Sequence, residues 1–342
     1  MSPPHSGSGP LSGAILLINK TRILLFVSLA VTWAIASLLP AYKQTVTDYA
    51  KSKVNNAIQH LPAVKVDWHP QYDPKAQFNA SKLALLIEGR PLPHLVPQLL
   101  HMMSIVPPEW RFMFIGTNAS VVSVSRSFAA QYHEANGKLD LVVLPEPWSA
   151  ESKEDVYRML TDVRFYDEFL PDVEWLLKFE SDSIMCSRSD DSINDWLHFS
   201  WAGAPRIPGD RFAGNGGLSL RRISIIKKIL GFQSRYNDTE PEDEWFGKRI
   251  TVLPGAKVAS GDQEDHFSVE DIWHEKPMGF HVREGGNNLP EDVWKSYERR
   301  KSNFKYCPEL VMIMPMKLER ERCAGDNKEG AIVGAGHRGG PK

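Results

Sequence analysis

Two acids one residue apart, Glu180 and Asp182, follow the apolar run Trp175-Leu176-Leu177 in the stretch KFESDSIMCS. Side chains alternate along a strand, so a strand running through both would point the two carboxylates the same way at its carboxyl end. In open α/β sheets that edge is where ligands bind. Converging carboxylates repel each other unless a cation or a donor compensates. A divalent ion with oxygen ligands does so, and it can bridge to a diphosphate. Acids and serines are also ordinary at strand ends and helix caps, so the pair alone does not separate a metal site from a surface turn.

Three later stretches add chemistry. Phe212-Ala213-Gly214-Asn215-Gly216-Gly217-Leu218-Ser219-Leu220-Arg221-Arg222 sets three glycines around Asn215, as a turn entering a strand or as a backbone that must approach a ligand closely. No GK[ST] follows, so it is not a P-loop. Glu242-Asp243-Glu244 opens a helix expected to run through Ile250. Acids in a first helical turn are common dipole partners, and one of them could instead act as a base beside an acceptor hydroxyl. His281 ends Pro277-Met278-Gly279-Phe280-His281, as a structural histidine or as an imidazole completing a metal shell.

The elements that must position these residues alternate. Leu83–Ile87, Arg111–Ile115, Leu139–Leu144 and Trp175–Phe179 read as buried parallel strands, and 94–105, 119–133 and 152–170 as helices. The pattern predicts an α/β fold with an open, mostly parallel sheet and helices on both faces. Glu88 and Arg90 stand just past the first strand. Asp262, Glu264 and Asp265, around His266 and His274, read as a solvated loop.

Residues 23–39, ILLFVSLAVTWAIASLL, carry no charge and would span roughly 26 Å as a helix. A leader of 22 residues precedes them, which favours a signal anchor over a peptide cleaved after Ala34-Ile35-Ala36. Sequons at Asn79, Asn118 and Asn237 all follow the segment and point to a lumenal body. The organisation expected is a cytoplasmic tail (1–22), transmembrane anchor (23–39), stem (40–81), folded domain (82–322) and disordered tail (323–342). With 40 basic and 42 acidic residues, nothing suggests a nucleic-acid partner. Cys186, Cys307 and Cys323 lack zinc spacing, and a Cys307–Cys323 bridge is the one pairing considered.

An acidic pair after a strand, then GNGGLSLRR, then EDEWF, then GFH, resembles the GT-A class of nucleotide-sugar glycosyltransferases. It looks especially similar to a poorly characterised fungal family of type II membrane glycosyltransferase-like proteins. The resemblance covers about residues 82–285. It implies a GT-A-like (Rossmann-like) sheet and a DXD-like motif in which Asp182, with Glu180 in place of the usual first Asp, holds Mn²⁺ or Mg²⁺. His281 would complete the metal site, and Gly216 and Gly217 would line the sugar site. Asp243, or Glu242 beside it, would be the base, while Glu88 and Arg90 would meet the nucleotide or its phosphates. The implied partners are a nucleotide-sugar donor and a glycan or glycoconjugate acceptor, at a Golgi or endoplasmic reticulum membrane reached through residues 23–39. Two other readings stand beside it. One is a non-catalytic lumenal accessory protein with a degenerate transferase fold. The other is a metal-dependent phosphoesterase, for which the acidic and histidine ligands are sparse.

Overall fold

The computed structural model describes residues 20–60, 73–209 and 213–314. The expected tail at 323–342 and the segment 61–72 of the expected stem lie outside them. The chain divides into two units, Met1–His69 and Pro70–Lys342.

The described residues of the first unit form one helix, α1 (Lys20–His60). Its Lys20–Leu38 portion is long and apolar enough to cross a membrane, with a mean hydropathy of 1.8 and none of that window buried. The helix does not stop where the apolar run ends. It continues through the first part of the expected stem, whose polar residues keep a helical pattern.

In the second unit the strands are β1 (Lys82–Ile87), β2 (Arg111–Gly116), β3 (Leu139–Val143), β4 (Trp175–Phe179) and β5 (Ser183–Met185). They are followed by β6 (Trp201–Ala202), β7 (Leu218–Arg222), β8 (Ser268–Val269) and β9 (Gly279–His281). Six form the main sheet in the order β3-β2-β1-β4-β7-β6. β1 pairs parallel with β2 and β4, and β2 pairs parallel with β3, while β7 and β6 join antiparallel. The fold is thus α/β with a mostly parallel open sheet, as the apolar runs predict. β5, β9 and β8 form a second, three-stranded sheet.

Helices cover both faces. Ala84, Leu86, Phe112 and Phe114 point to one, against α2 (Leu95–Ile105), α3 (Asn118–Ser125) and the small sheet. Leu83, Leu85, Met113 and Ile115 point to the other, against α5 (Lys153–Leu160), α6 (Val163–Phe169), α7 (Ile223–Leu230) and α8 (Glu242–Ile250). Alternate residues of one strand enter two separate cores, which is why these strands read as continuous apolar runs. Two expected helices are each broken in two. Ser127 caps α4 (Phe128–Ala135) by accepting from Ala130 N, and Asp162 caps α6 by accepting from Arg164 N. In both cases a short polar side chain satisfies a free helical N–H and starts a new helix inside an apolar pattern that reads as continuous.

The chain order places β2 and β3 on one side of β1 and β4 on the other. Connections therefore leave in opposite directions at the β1–β4 boundary, and a crevice opens at the carboxyl ends of those two strands. Glu88 follows β1 there and Glu180 follows β4.

Cys186, just after β5, is disulfide-bonded to Cys307, 121 residues away. This corrects the Cys307–Cys323 pairing; Cys323 lies outside the described residues. The bridge ties the small sheet to the helix Tyr297–Tyr306. Replacing both cysteines with Ala should lower stability by about 2–5 kcal/mol, because so long a loop is left open in the unfolded chain. Urea unfolding of the oxidised wild type against the double variant checks this, and equal midpoints would contradict it.

Candidate metal and donor site

The strand does not run through the acidic pair. β4 ends at Phe179, and Glu180-Ser181-Asp182 forms a tight turn into β5, closed by Ser183 N donating to Glu180 O at 3.0 Å. The alternation expected to align the two acids therefore does not operate. They converge because the turn is pinned from three sides.

From α2, Gln98 Nε2 donates to Glu180 O at 2.8 Å and Ser183 O at 2.6 Å, and His94 Nε2 lies 2.8 Å from Ser181 O. From the end of β1, Glu88 accepts from Ser181 Oγ at 2.7 Å. From the glycine segment, Gly217 O accepts from Glu180 N at 2.9 Å and Ser183 Oγ at 2.6 Å. The carbonyls of Glu180, Ser181 and Ser183 and the N–H of Glu180 thus meet fixed partners, as buried backbone groups require.

β9 brings in the histidine. Its antiparallel register with β5 sets His281 opposite Ser183. His281 is buried, with Nε2 3.4 Å from Asp182 Oδ1 and 3.7 Å from Glu180 Oε2. Burial alone would push the imidazole's pKa down, but its contacts with Asp182, Glu180 and Glu270 outweigh that and hold it well above the ordinary value. Asp182 Oδ2 also accepts from Gly285 N at 3.0 Å. Glu180, Asp182 and His281 each offer a ligand atom, and these atoms lie within 4.8 Å of one another. Two carboxylates and an imidazole suit Mn²⁺ or Mg²⁺ as a donor set.

Gly217 explains why a glycine follows Gly216. A Cβ there would lie 2.3–2.4 Å from the ring atoms of His281. Gly216 is held differently: its N–H donates to Asp243 Oδ2 at 2.8 Å, and a Cβ would meet Arg221 NH2 at 2.7 Å.

The remaining expected residues fall around this centre. Glu88 takes Arg90 bidentately, Nε to Oε1 and NH2 to Oε2, both at 2.8 Å. Although burial opposes it, hydrogen bonds from Arg90 and Ser181 lower the Glu88 pKa. Arg90 itself is largely exposed, and it feels the charges of Asp182 and Glu180 as well as that of Glu88. Asp243 Oδ2 also accepts from Arg206 NH2 at 2.9 Å, and Oδ1 accepts from Glu244 N at 2.8 Å. Glu242 is fully buried, its Oε1 accepting from Arg221 NH2 at 2.9 Å. Arg221 NH2 reaches Gly216 O as well, at 3.3 Å.

Several residues were not legible beforehand. Lys178 stands inside the apolar strand, 2 % exposed, and its Nζ donates to Glu180 Oε1. Burial works against the charge on Glu180, but Lys178 and then His281 outweigh it and hold the carboxyl well below the usual range. Glu270 is buried directly after β8, with Oε1 3.4 Å from His281 Nδ1. Tyr157 on α5 borders the site; burial and then the charges of Glu180, Asp243 and Glu242 push its hydroxyl up to about 12. The loop expected to be solvated is only partly so, because Glu264 is fully buried on α9 (Asp262–Phe267).

Residues 138–281 match the family described as "Protein of unknown function (DUF5672)", a span of less than half the chain that ends on His281. No curated protein matches the sequence. Among solved structures, the mannosyltransferase PcManGT from Pyrobaculum calidifontis, in complex with GDP-Man and Mn²⁺, is 12% identical. That match covers 84% of this chain and 75% of that one, with a TM-score of 0.41. The apo-form glycosyltransferase GlyE of Streptococcus pneumoniae is 11% identical over 71% of this chain and 64% of its own, with a TM-score of 0.41. Core-mannan synthase A of Aspergillus fumigatus, in its Mn/GDP form, is 10% identical over 54% of this chain and 78% of its own, with a TM-score of 0.33. Likenesses this slight carry no argument about activity.

Proposed function

We propose that this chain is a divalent-cation-dependent glycosyltransferase that moves a sugar from a nucleotide-sugar donor to a glycan, glycoprotein or glycolipid acceptor. One observation carries the reading: the cluster of Glu180, Asp182 and His281, beside the crevice between β1 and β4. A donor diphosphate needs a compensating cation in such a crevice, and the GT-A resemblance of the motif order points the same way.

In this reading Asp182 and His281 are the principal ligands of Mn²⁺ or Mg²⁺, with Glu180 as a third donor shared with Lys178. The ion, when bound, offsets charge on the departing nucleoside diphosphate. Arg90, exposed and already beside the acidic turn, meets a donor phosphate, while Glu88 orients Arg90 and anchors Ser181. The glycine segment borders the donor sugar in this reading, and its lack of side chains lets Arg221, Asp243 and His281 pack directly against its backbone. For an inverting reaction Asp243 takes the acceptor proton at Oδ1, which among the described residues accepts only from Glu244 N and has acceptor capacity to spare. Glu242 keeps Arg221, and through it Gly216, in place; its burial leaves no path to an acceptor.

A second reading, a non-catalytic lumenal accessory protein, draws on one feature. Arg206 and Gly216 N both bond Asp243 Oδ2, which suits a structural carboxylate as well as a base. Transfer or hydrolysis of a nucleotide sugar by the wild-type chain separates the two.

We propose further that residues 23–39 anchor the protein in a Golgi or endoplasmic reticulum membrane, with residues 1–22 cytoplasmic, residues 40–81 as a stem and the body (82–322) lumenal. The Cys186–Cys307 bridge suits that oxidising compartment.

Three outcomes test these proposals. Titration of the full-length chain in detergent with UDP- and GDP-sugars, with and without Mn²⁺, should show metal-dependent donor binding. In Asp182→Asn the affinity should fall to the metal-free level; donor affinity indifferent to Mn²⁺ in both proteins would end the metal assignment. Asp243→Asn should lower kcat by roughly two orders of magnitude or more while donor affinity changes little, and wild-type turnover would remove its role as base. Asn237 lies in an exposed turn after α7. It should therefore carry an endoglycosidase-sensitive glycan that Asn237→Gln removes. A chain with no glycan at any sequon would argue against a lumenal body.

A further inference from the structure

His281 has two ring nitrogens in different surroundings. Nε2 faces Asp182 and Glu180. Nδ1 faces Glu270, at 3.4 Å from Oε1. That approach brings the two to an ion pair's distance without a well-directed hydrogen bond, and Nδ1 has no hydrogen-bond partner among the described residues. Glu270 is only 1 % exposed, and its Oε2 is buried and likewise without one. A buried acceptor with spare capacity thus sits beside a buried donor with none. An unmade bond at a buried donor is costly, and a shift of a few tenths of an ångström would bring Nδ1 within hydrogen-bond distance of Oε1.

The fold keeps Glu270 at that station. β8 and β9 run parallel with Ser268 opposite Gly279 and Val269 opposite Phe280. One step further along the same register, Glu270 comes level with His281. Arg283 Nε donates to Glu270 Oε1 at 3.0 Å and Arg283 NH2 donates to Asp271 Oδ2 at 2.6 Å, so the carboxylate keeps a cation beside it. On another side the imidazole lies against Gly217, in the space that any side chain there would take.

Resting on the metal reading above, we propose that Glu270 is a positioning residue for the metal site. It takes the proton of His281 at Nδ1 as a hydrogen-bond acceptor, so that the Nε2 lone pair is presented to the divalent ion between Asp182 and Glu180. A carboxylate behind a ligating imidazole fixes its tautomer and raises its basicity, and losing such a partner typically weakens metal affinity about 10–100-fold.

The test uses the full-length chain in detergent, with free Mn²⁺ followed by electron paramagnetic resonance. Glu270→Gln should bind Mn²⁺ about 10–100-fold more weakly than the wild type, while Glu270→Asp, which keeps the charge, recovers part of the loss. Equal affinity in wild type and Glu270→Gln overturns the inference and leaves the metal reading standing. No Mn²⁺ binding by the wild type overturns both. A second measurement does not depend on a variant folding. With Cd²⁺ in place of Mn²⁺ in the wild type, nitrogen NMR should show one-bond coupling to His281 Nε2 and a proton retained on Nδ1. Coupling to Nδ1 would overturn the inference.

Discussion

Three carboxylates, those of Glu180, Asp182 and Glu270, lie around one buried imidazole, and the arrangement of the site follows from that concentration of charge. Like charges this close in a poorly solvated place raise each other's energy unless positive charge is supplied. The free protein supplies it from within. Lys178 reaches Glu180 and Arg283 reaches Glu270, and His281 stands among all three carboxylates, whose contacts raise its pKa against the effect of burial. A divalent ion, if held by Glu180, Asp182 and His281, would supply further positive charge to the same carboxylates.

Holding these groups in place requires four separate pieces of chain to meet. The β4–β5 turn brings the acids, the end of β9 brings His281, the segment after β8 brings Glu270, and the glycine run before β7 closes against the ring. β7 is antiparallel to β4, so the glycines at its start lie beside the carboxyl end of β4. The main sheet therefore delivers both the acids and the glycines to one edge, while the small sheet delivers the histidine and its partner. The Cys186–Cys307 bridge fastens that small sheet to the helices behind it.

The parts legible in the sequence were those with local or periodic signatures. β1, β2 and β4 announced themselves as continuous apolar runs because both faces are covered, and the order of motifs drew attention to Asp182, Gly217 and His281, which the fold brings together. Their convergence was anticipated for a reason that fails, since β4 stops at Phe179 and the turn, not alternation, aims the acids. What stayed hidden depends on pairing over long distances or on very short elements. Glu270 is placed by a two-residue strand whose partner lies eleven positions on, and in the sequence it merges into an acid-rich stretch that reads as solvated. Lys178 looks like an interruption in WLLKF until its partner is seen. Ser127 and Asp162 are ordinary polar residues unless recognised as caps, and nothing local connects Cys186 to Cys307.

The Glu at position 180, where the resemblance would favour Asp, has a physical account in Lys178. That lysine is almost fully buried within β4, and a buried cation needs a partner that can reach it. Glu180 lies two residues further on, outside the strand. Its Oε1 meets Lys178 Nζ while its Oε2 stays 3.7 Å from His281 Nε2. The extra methylene of glutamate gives the reach to touch both the lysine in the strand and the imidazole across the turn; an aspartate from the same backbone position would be shorter by that carbon. The departure from the commoner acid and the buried lysine thus belong together. The substitution by itself is no sign of a decayed site, because ligand atoms of Glu180, Asp182 and His281 still lie within 4.8 Å of one another.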